Sequence, residues 1–156
     1  MMLALTRDDD VRRFTRIPGG GVDGAYVTSW IGRYEAGWED GTRLAFAIVD
    51  VATGAILGFA GAVDLERDAR QAEIGYMTAP AARGRGAATR ALALLSRWCL
   101  DELGLERLEL RIDPANAGSI RVAERAGYRL EGTLRNVHVK DGVRGDVGVW
   151  SLLPTD

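Results

Sequence analysis

Glu73-Ile-Gly-Tyr-Met-Thr-Ala-Pro-Ala-Ala-Arg-Gly-Arg-Gly-Ala-Ala88 carries a strand, a glycine- and arginine-rich loop and the start of a helix in immediate succession. From Gly86 onward Ala88, Ala91, Leu92, Leu95, Trp98, Cys99 and Leu103 recur every three or four positions until Gly104 breaks the pattern, which is the spacing of a helix with one buried face. The first N–H groups of a helix have no internal partner and the helix dipole favours negative charge there, so a loop in this place is suited to hold phosphate. Gly84 and Gly86 let the backbone come close, Ala87 and Ala88 add no bulk, and Arg83 and Arg85 offer charge-assisted hydrogen bonds to phosphate oxygens. A pyrophosphate is the expected guest. The Gly-Lys-Ser/Thr ending of a P-loop is absent, and the three widely spaced glycines of a dinucleotide fingerprint are absent too.

On the N-terminal side, Leu44 to Asp50, Ile56 to Leu65 and Gln71 to Thr78 are apolar runs separated by Ala52-Thr53-Gly54 and by the polar turn Glu66 to Arg70. They read as a three-stranded antiparallel meander. Before it, Val27, Trp30, Ile31, Tyr34 and Trp38 fall at helical spacing with Gly41 as the stop. Ile17-Pro18-Gly19-Gly20-Gly21 reads as a flexible turn that sets off a short leader. On the C-terminal side, Arg107 to Ile112 alternates as a strand, Ala117 to Ala126 is a helix ended by Gly127, and Asp141-Gly142 joins two last strands in a tight hairpin. A meander followed by strand-helix-strand crossovers predicts an α/β fold, α+β by a stricter naming: a mixed, mostly antiparallel central sheet with helices on both faces.

The 156 residues suit one domain over 1–156, and 47% apolar, 27% charged and a net charge of −2 are ordinary for a globular protein and give no sign of a polyanionic partner. No nucleic acid and no membrane are expected as partners, since Arg-Gly-Arg-Gly is too short for a basic RNA-binding tract and no apolar run spans a bilayer. One cysteine, Cys99, and one histidine, His138, provide neither a disulfide nor a His/Cys metal set, so no metal is expected. With no signal-peptide pattern at the start, the expected location is cytoplasmic. Cys99 falls on the apolar stripe and is assigned to the core. His138 stands alone and is left outside the site.

Arg83-x-x-Gly86-x-Ala88 resembles the Arg/Gln-x-x-Gly-x-Gly/Ala motif of the GNAT acyltransferases, and Asn116-Ala-Gly-Ser119 followed by Ala126-Gly127-Tyr128 resembles that family's second motif. Glu73-Ile-Gly-Tyr, Leu130-Glu-Gly-Thr-Leu-Arg135 and Trp150-Ser-Leu-Leu153 are similar to the branch that acetylates ribosomal-protein N-termini. The resemblance runs from about Arg12 to the end. It implies an acetyl-CoA-dependent N-acetyltransferase, with acetyl-CoA as co-substrate and a primary amine as acceptor, either a peptide N-terminus or a small molecule. It also implies that Arg83, Gly84, Arg85, Gly86, Ala87 and Ala88 cradle the pyrophosphate. The backbone of Tyr76, Met77 and Thr78 would pair with the pantetheine arm, and Asn116 would hold pantetheine or a water.

For catalysis the resemblance implies Glu73 as general base acting through water and Ser119 as the group that meets the departing thiolate. Glu73 also reads as a structural partner in its strand, Ser119 and Asn116 as helix-capping groups, and Trp30, Tyr34 and Trp38 as core before acceptor wall. Two departures from the family stand out. Ala123 occupies the place, seven residues after Asn116, where many members carry a tyrosine. The leader Met1 to Arg16 leaves out the family's first strand: either the start lies upstream or the chain dispenses with it, which leaves a sheet edge unpaired or covered by a partner, a homodimer among them. A CoA-binding sensor and a transferase for another acyl-CoA such as succinyl-CoA are the alternative functions.

Overall fold

The computed structural model describes residues 1–18, 20 and 22–156. The chain runs α1 (Met2–Leu5), α2 (Asp9–Phe14), α3 (Gly24–Asp40), β1 (Leu44–Val49), β2 (Ile56–Glu66), β3 (Gln71–Thr78), a single 3-10 turn at Pro80–Ala82, α4 (Ala87–Asp101), β4 (Arg107–Ile112), α5 (Ala117–Arg125), β5 (Arg129–Lys140) and β6 (Val143–Leu152). The six strands form one sheet in the order β1-β2-β3-β4-β6-β5, and every neighbouring pair is antiparallel except β3 and β4. That parallel pair is the one joined by a helix, α4, because parallel neighbours need a long crossover. The expected meander, the three helices and the hairpin all stand where the sequence places them.

Local chemistry sets the ends of these elements. Asp23 caps α3 by accepting from the Tyr26 N–H, and Gly41 closes it at φ +74°, a left-handed conformation that costs other residues strain. Asp141 and Gly142 both adopt positive φ, as the hairpin turn between β5 and β6 demands. Residues paired across strands share a face, so Ala47 and Phe59 lie on one side and Phe46 and Ala60 on the other. Phe59 meets Trp30 and Tyr34 of α3 edge-on, whereas Ala60 and Ala62 join Leu92, Leu95 and Cys99 of α4 in the core. Helices therefore cover both faces. Leu92, Leu108 and Cys99 are fully buried, and burial pushes the Cys99 thiol up to about 12, which fits its assignment to the core.

The sequence reading assigns no element to the leader. It folds as two short helices, with Asp8 capping α2 by accepting from the Val11 N–H and with Leu5, Val11 and Ile17 buried. Of the glycine-rich turn after it, Gly19 and Gly21 lie outside the described residues. β1 is an edge strand of the sheet.

Candidate active site

β3 and β4 pair only through Gln71–Arg107, Ala72–Leu108 and Glu73–Glu109. Beyond that point β3 stays with β2 as far as Thr78 and β4 stays with β6 as far as Ile112, so the two strands part and a wedge opens in the sheet. The N-termini of α4 and α5 both face this wedge. A cleft of about 550 Å³ fills it, lined by Tyr76, Met77 and Thr78 of β3, by Arg83, Gly84, Gly86, Ala87 and Ala88 of the loop, and by Asn116, Ser119, Arg121 and Arg125 at α5.

The loop has the conformation that its glycines imply. Gly84 and Gly86 have φ of +70° and +75°. A Cβ at Gly84 would meet nothing within 4 Å, so that position is set by backbone angle rather than by space. No side chain caps α4, which leaves its first-turn N–H groups directed at the cleft. At α5 the side chain of Asn116 accepts from the Ser119 N–H at 3.0 Å, so the capping role expected for Asn116 is present while its side chain also lines the cleft.

Two arginines sit differently from a simple phosphate cradle. Arg83 binds Asp8 and, at 3.1 Å, Asp10, and it donates to the Thr78 carbonyl at 3.3 Å; it ties α2 to the loop while lining the cleft. The same ion pair, together with the Val11 N–H, holds the Asp8 carboxyl below its ordinary range against the opposing effect of desolvation. Arg85 is exposed and does not line the cleft; its carbonyl accepts from Arg90. Arg121 and Arg125 do line it and were missed in the sequence, where they pass for the solvent face of a helix. Their i, i+4 spacing in the motif helix was the available signal.

A second cleft, of about 560 Å³, lies on the α3 face. Glu73 projects into it, with Trp30 and Tyr34 of α3, Arg16, Arg43 and Arg111, and Leu134, Val137 and His138 of β5 around it. Trp30 and Tyr34 are thus both packed on Phe59 and part of a cavity wall, and His138, left aside in the sequence, lines the same space. Trp38 instead packs on Phe46 and is 53% exposed.

Desolvation raises the pKa of Glu73, with Arg16 at 3.6 Å and Arg111 at 3.5 Å pulling it back and Asp64 and Glu109 adding to the rise. Glu109 is itself held by Arg107 at 3.1 Å and Arg111 at 2.9 Å. A carboxylate whose pKa is raised by burial in a cleft is a candidate proton acceptor. Phe14, Thr15, Tyr76, Met77, Asn116 and Ser119 line both clefts, which therefore meet end to end through the sheet. At the junction the Tyr76 hydroxyl donates to the Ser119 carbonyl at 3.4 Å, and burial pushes the Tyr76 phenol up to about 12. Ala123 is fully buried and has no polar group to offer.

The model of the acetyltransferase (GNAT) domain matches residues 1–129. The chain belongs to the GNAT acetyltransferase family. It is 33% identical over 81% of its length to YjcK of Bacillus subtilis, named as an N-acetyltransferase, and 33% identical over 64% of its length to YdaF of the same organism, named as a ribosomal N-acetyltransferase. Those matches span 70% and 55% of the two relatives. In fold it superposes on the microcin C7 self-immunity acetyltransferase MccE, solved with acetyl-CoA and AMP, with a TM-score of 0.84 over 97% of this chain and 84% of that one at 20% identity. The protein is accordingly an acetyl-CoA-dependent N-acetyltransferase by class. Among the described residues no helix is long and apolar enough to cross a membrane, and no cluster of three or more His, Cys, Asp or Glu is placed to hold a metal.

Proposed function

We propose that this acetyltransferase binds acetyl-CoA in the wedge between β3 and β4 and passes its acetyl group directly to a primary amine held in the second cleft. The observation that carries this reading is the end-to-end meeting of the two clefts beside an uncapped helix N-terminus. The first-turn N–H groups of α4 and the backbone of the loop Arg83 to Ala88 receive the pyrophosphate, with Arg121 and Arg125 adding positive charge. The unpaired edge of β3 at Tyr76, Met77 and Thr78 receives the pantetheine arm as an added strand, and one of its N–H groups polarises the thioester carbonyl. Asn116 holds the arm or a water beside it.

The amine must be neutral to attack. Glu73 takes the ammonium proton through a bridging water, the neutral amine attacks the thioester carbonyl, the C–N bond forms and the C–S bond breaks, and the nitrogen's second proton passes to the departing thiolate, which Ser119 meets at the junction. The acceptor class favoured is a peptide N-terminus. The walls of the second cleft carry Arg13, Arg16, Arg33, Arg43 and Arg111 against Asp64, Glu73, Asp113 and Asp146, a balance that offers a polycation such as spermidine no net attraction. The name of YdaF points the same way.

A thiol-release assay with acetyl-CoA tests this, with ribosomal-protein N-terminal peptides beside spermidine and aminoglycosides as acceptors. Peptide turnover that falls by about 10²–10⁴ in Glu73→Gln, with CoA binding kept, is the expected result. CoA binding without turnover on any amine would make the protein a sensor, and full activity in Glu73→Gln would remove Glu73 from the chemistry.

A further inference from the structure

Glu73 and Glu109 stand side by side as the last pair of β3 and β4 before the wedge opens, and paired residues project from the same face of a sheet. Two carboxylates so placed repel unless a cation lies between them. That cation is Arg111, two residues on along β4 and on the same face. Its Nε–H donates to Glu109 at 2.9 Å, whereas the same nitrogen lies 3.5 Å from Glu73 without a hydrogen bond. Arg16 comes no closer to Glu73 than 3.6 Å. Among the described residues, therefore, no N–H or O–H donates to the Glu73 carboxylate. A largely buried carboxylate without a direct donor calls for an explanation.

Glu109 is itself anchored from behind. Its other oxygen accepts from Arg107 at 3.1 Å, and both oxygens of Glu131 grip Arg107 at 2.6 Å. Glu131 in turn accepts from the Ser151 hydroxyl at 2.7 Å. The ladder runs from β5 through β4 to the cleft and stops one hydrogen bond short of Glu73. A planar guanidinium favours a two-pronged grip on a carboxylate. Released from Glu109, Arg111 would have Glu73 as its remaining ion-pair partner, and such a grip would cover the lone pairs that a base needs.

We infer that Glu109 is a positioning residue of the site: it engages Arg111 through Nε and keeps that guanidinium from closing on Glu73, whose oxygens stay open to the bridging water. The inference rests on the reading of Glu73 as the base. An arginine placed only to neutralise Glu73 would bond to it, and this one bonds to the neighbour instead. Loss of the Glu109 charge acts on Glu73 twice in one direction. It removes a like charge that raises the Glu73 pKa, and it frees the Arg111 N–H to stabilise the Glu73 anion. Both effects lower the Glu73 pKa. Arg16 of the leader, Asp64 of β2, Tyr34 and Arg43 of α3, His138 of β5 and Asp146 of β6 face the same cleft and are common to every variant compared.

The test is an NMR titration of the Glu73 carboxyl carbon in the full chain, beside thiol release from acetyl-CoA across a pH series with a ribosomal-protein N-terminal peptide as acceptor. In Glu109→Gln the Glu73 titration and the acid limb of activity should both move to lower pH. The plateau kcat should fall, since a weaker base takes the proton less readily, while CoA binding is unchanged. Arg111→Ala should move both to higher pH. The double variant Glu109→Gln/Arg111→Ala should lie between the two single ones, because no guanidinium is left to close. Glu131→Gln loosens the ladder at its far end and should leave the Glu73 titration in place, whereas a merely structural role for the ladder would move it too. A Glu73 titration that is unmoved or raised in Glu109→Gln, or a double variant as low as Glu109→Gln alone, would overturn the inference. The titration is read without turnover, so failure of Glu73 as base shows separately, as full activity in Glu73→Gln.

Discussion

Removing Arg16 should move the acid limb of catalysis upward. The Arg16 guanidinium stands 3.6 Å from the Glu73 carboxylate and is 66% exposed, while Glu73 is only 19% exposed. At that distance two unit charges attract by about 1 kcal/mol when solvent screens them as bulk water does, and by about 4–5 kcal/mol at an effective dielectric of 20. The exposure of Arg16 places the pair near the lower limit. The loss of that attraction predicts that Arg16→Ala raises the Glu73 pKa further. The sign follows from the loss of a cation that favours the charged carboxylate. With Glu73 as base, activity falls as pH drops through its pKa, so the limb shifts to higher pH. The assay is thiol release at saturating acetyl-CoA and amine across a pH series. The acceptor's own titration is common to both enzymes and cancels in the comparison. Arg13→Ala, on the same cleft wall but stacked on Phe14, is the control with no shift expected. High salt should shrink the difference between wild type and Arg16→Ala. An unmoved limb, or one displaced to lower pH, would refute the assignment of Glu73.

Two further predictions concern stability. The Ser96 and Tyr128 hydroxyls meet at 2.8 Å inside the core, and Ser96→Ala leaves the phenol buried without its partner; urea unfolding should show a loss of about 1–3 kcal/mol. Glu131 accepts from Arg107 and from Ser151 at 2.7 Å, and these bonds hold its carboxyl down at about 2. Its stabilisation is therefore complete above the ordinary glutamate range near 4.3 and vanishes as pH falls through about 2. Glu131→Gln should cost about 0.2–1 kcal/mol near neutral pH, as expected for an exposed pair, and thermal melts should show that difference closing between about pH 4 and pH 2.

The sequence carried most of the architecture because its signals are local. The stripe from Ala88 to Leu103, the stop at Gly104 and the Asp141-Gly142 turn each state their structure within a few residues. The loop at Gly84 and Gly86 was legible for the same reason, since only a left-handed backbone needs glycine there. What stayed hidden depends on contacts between distant residues. α2 is six residues long, too short for a periodic signal, and its place is fixed by Asp8 and Asp10 reaching Arg83, 75 and 73 residues away. Because of that contact, Phe14 and Thr15 of a supposed leader line the junction of the two clefts. His138, Arg121 and Arg125 join their clefts only through the packing of β5 and α5, which no single stretch encodes. The dual role of Trp30 and Tyr34, packed on Phe59 and yet facing a cavity, is likewise a matter of where α3 lies on the sheet.

Calorimetric titration of CoA into Ala88→Asp bears most directly on the seat of the cofactor at the α4 N-terminus. Ala88 lines the wedge in the first turn of the helix. A carboxylate there complements the helix dipole, so the fold should gain about 0.3–1 kcal/mol, while the same charge occupies the free N–H groups and repels phosphate. The expected result is a protein that melts no lower than the wild type and no longer binds CoA. A variant that binds CoA as the wild type does would contradict the placement of the pyrophosphate on this helix.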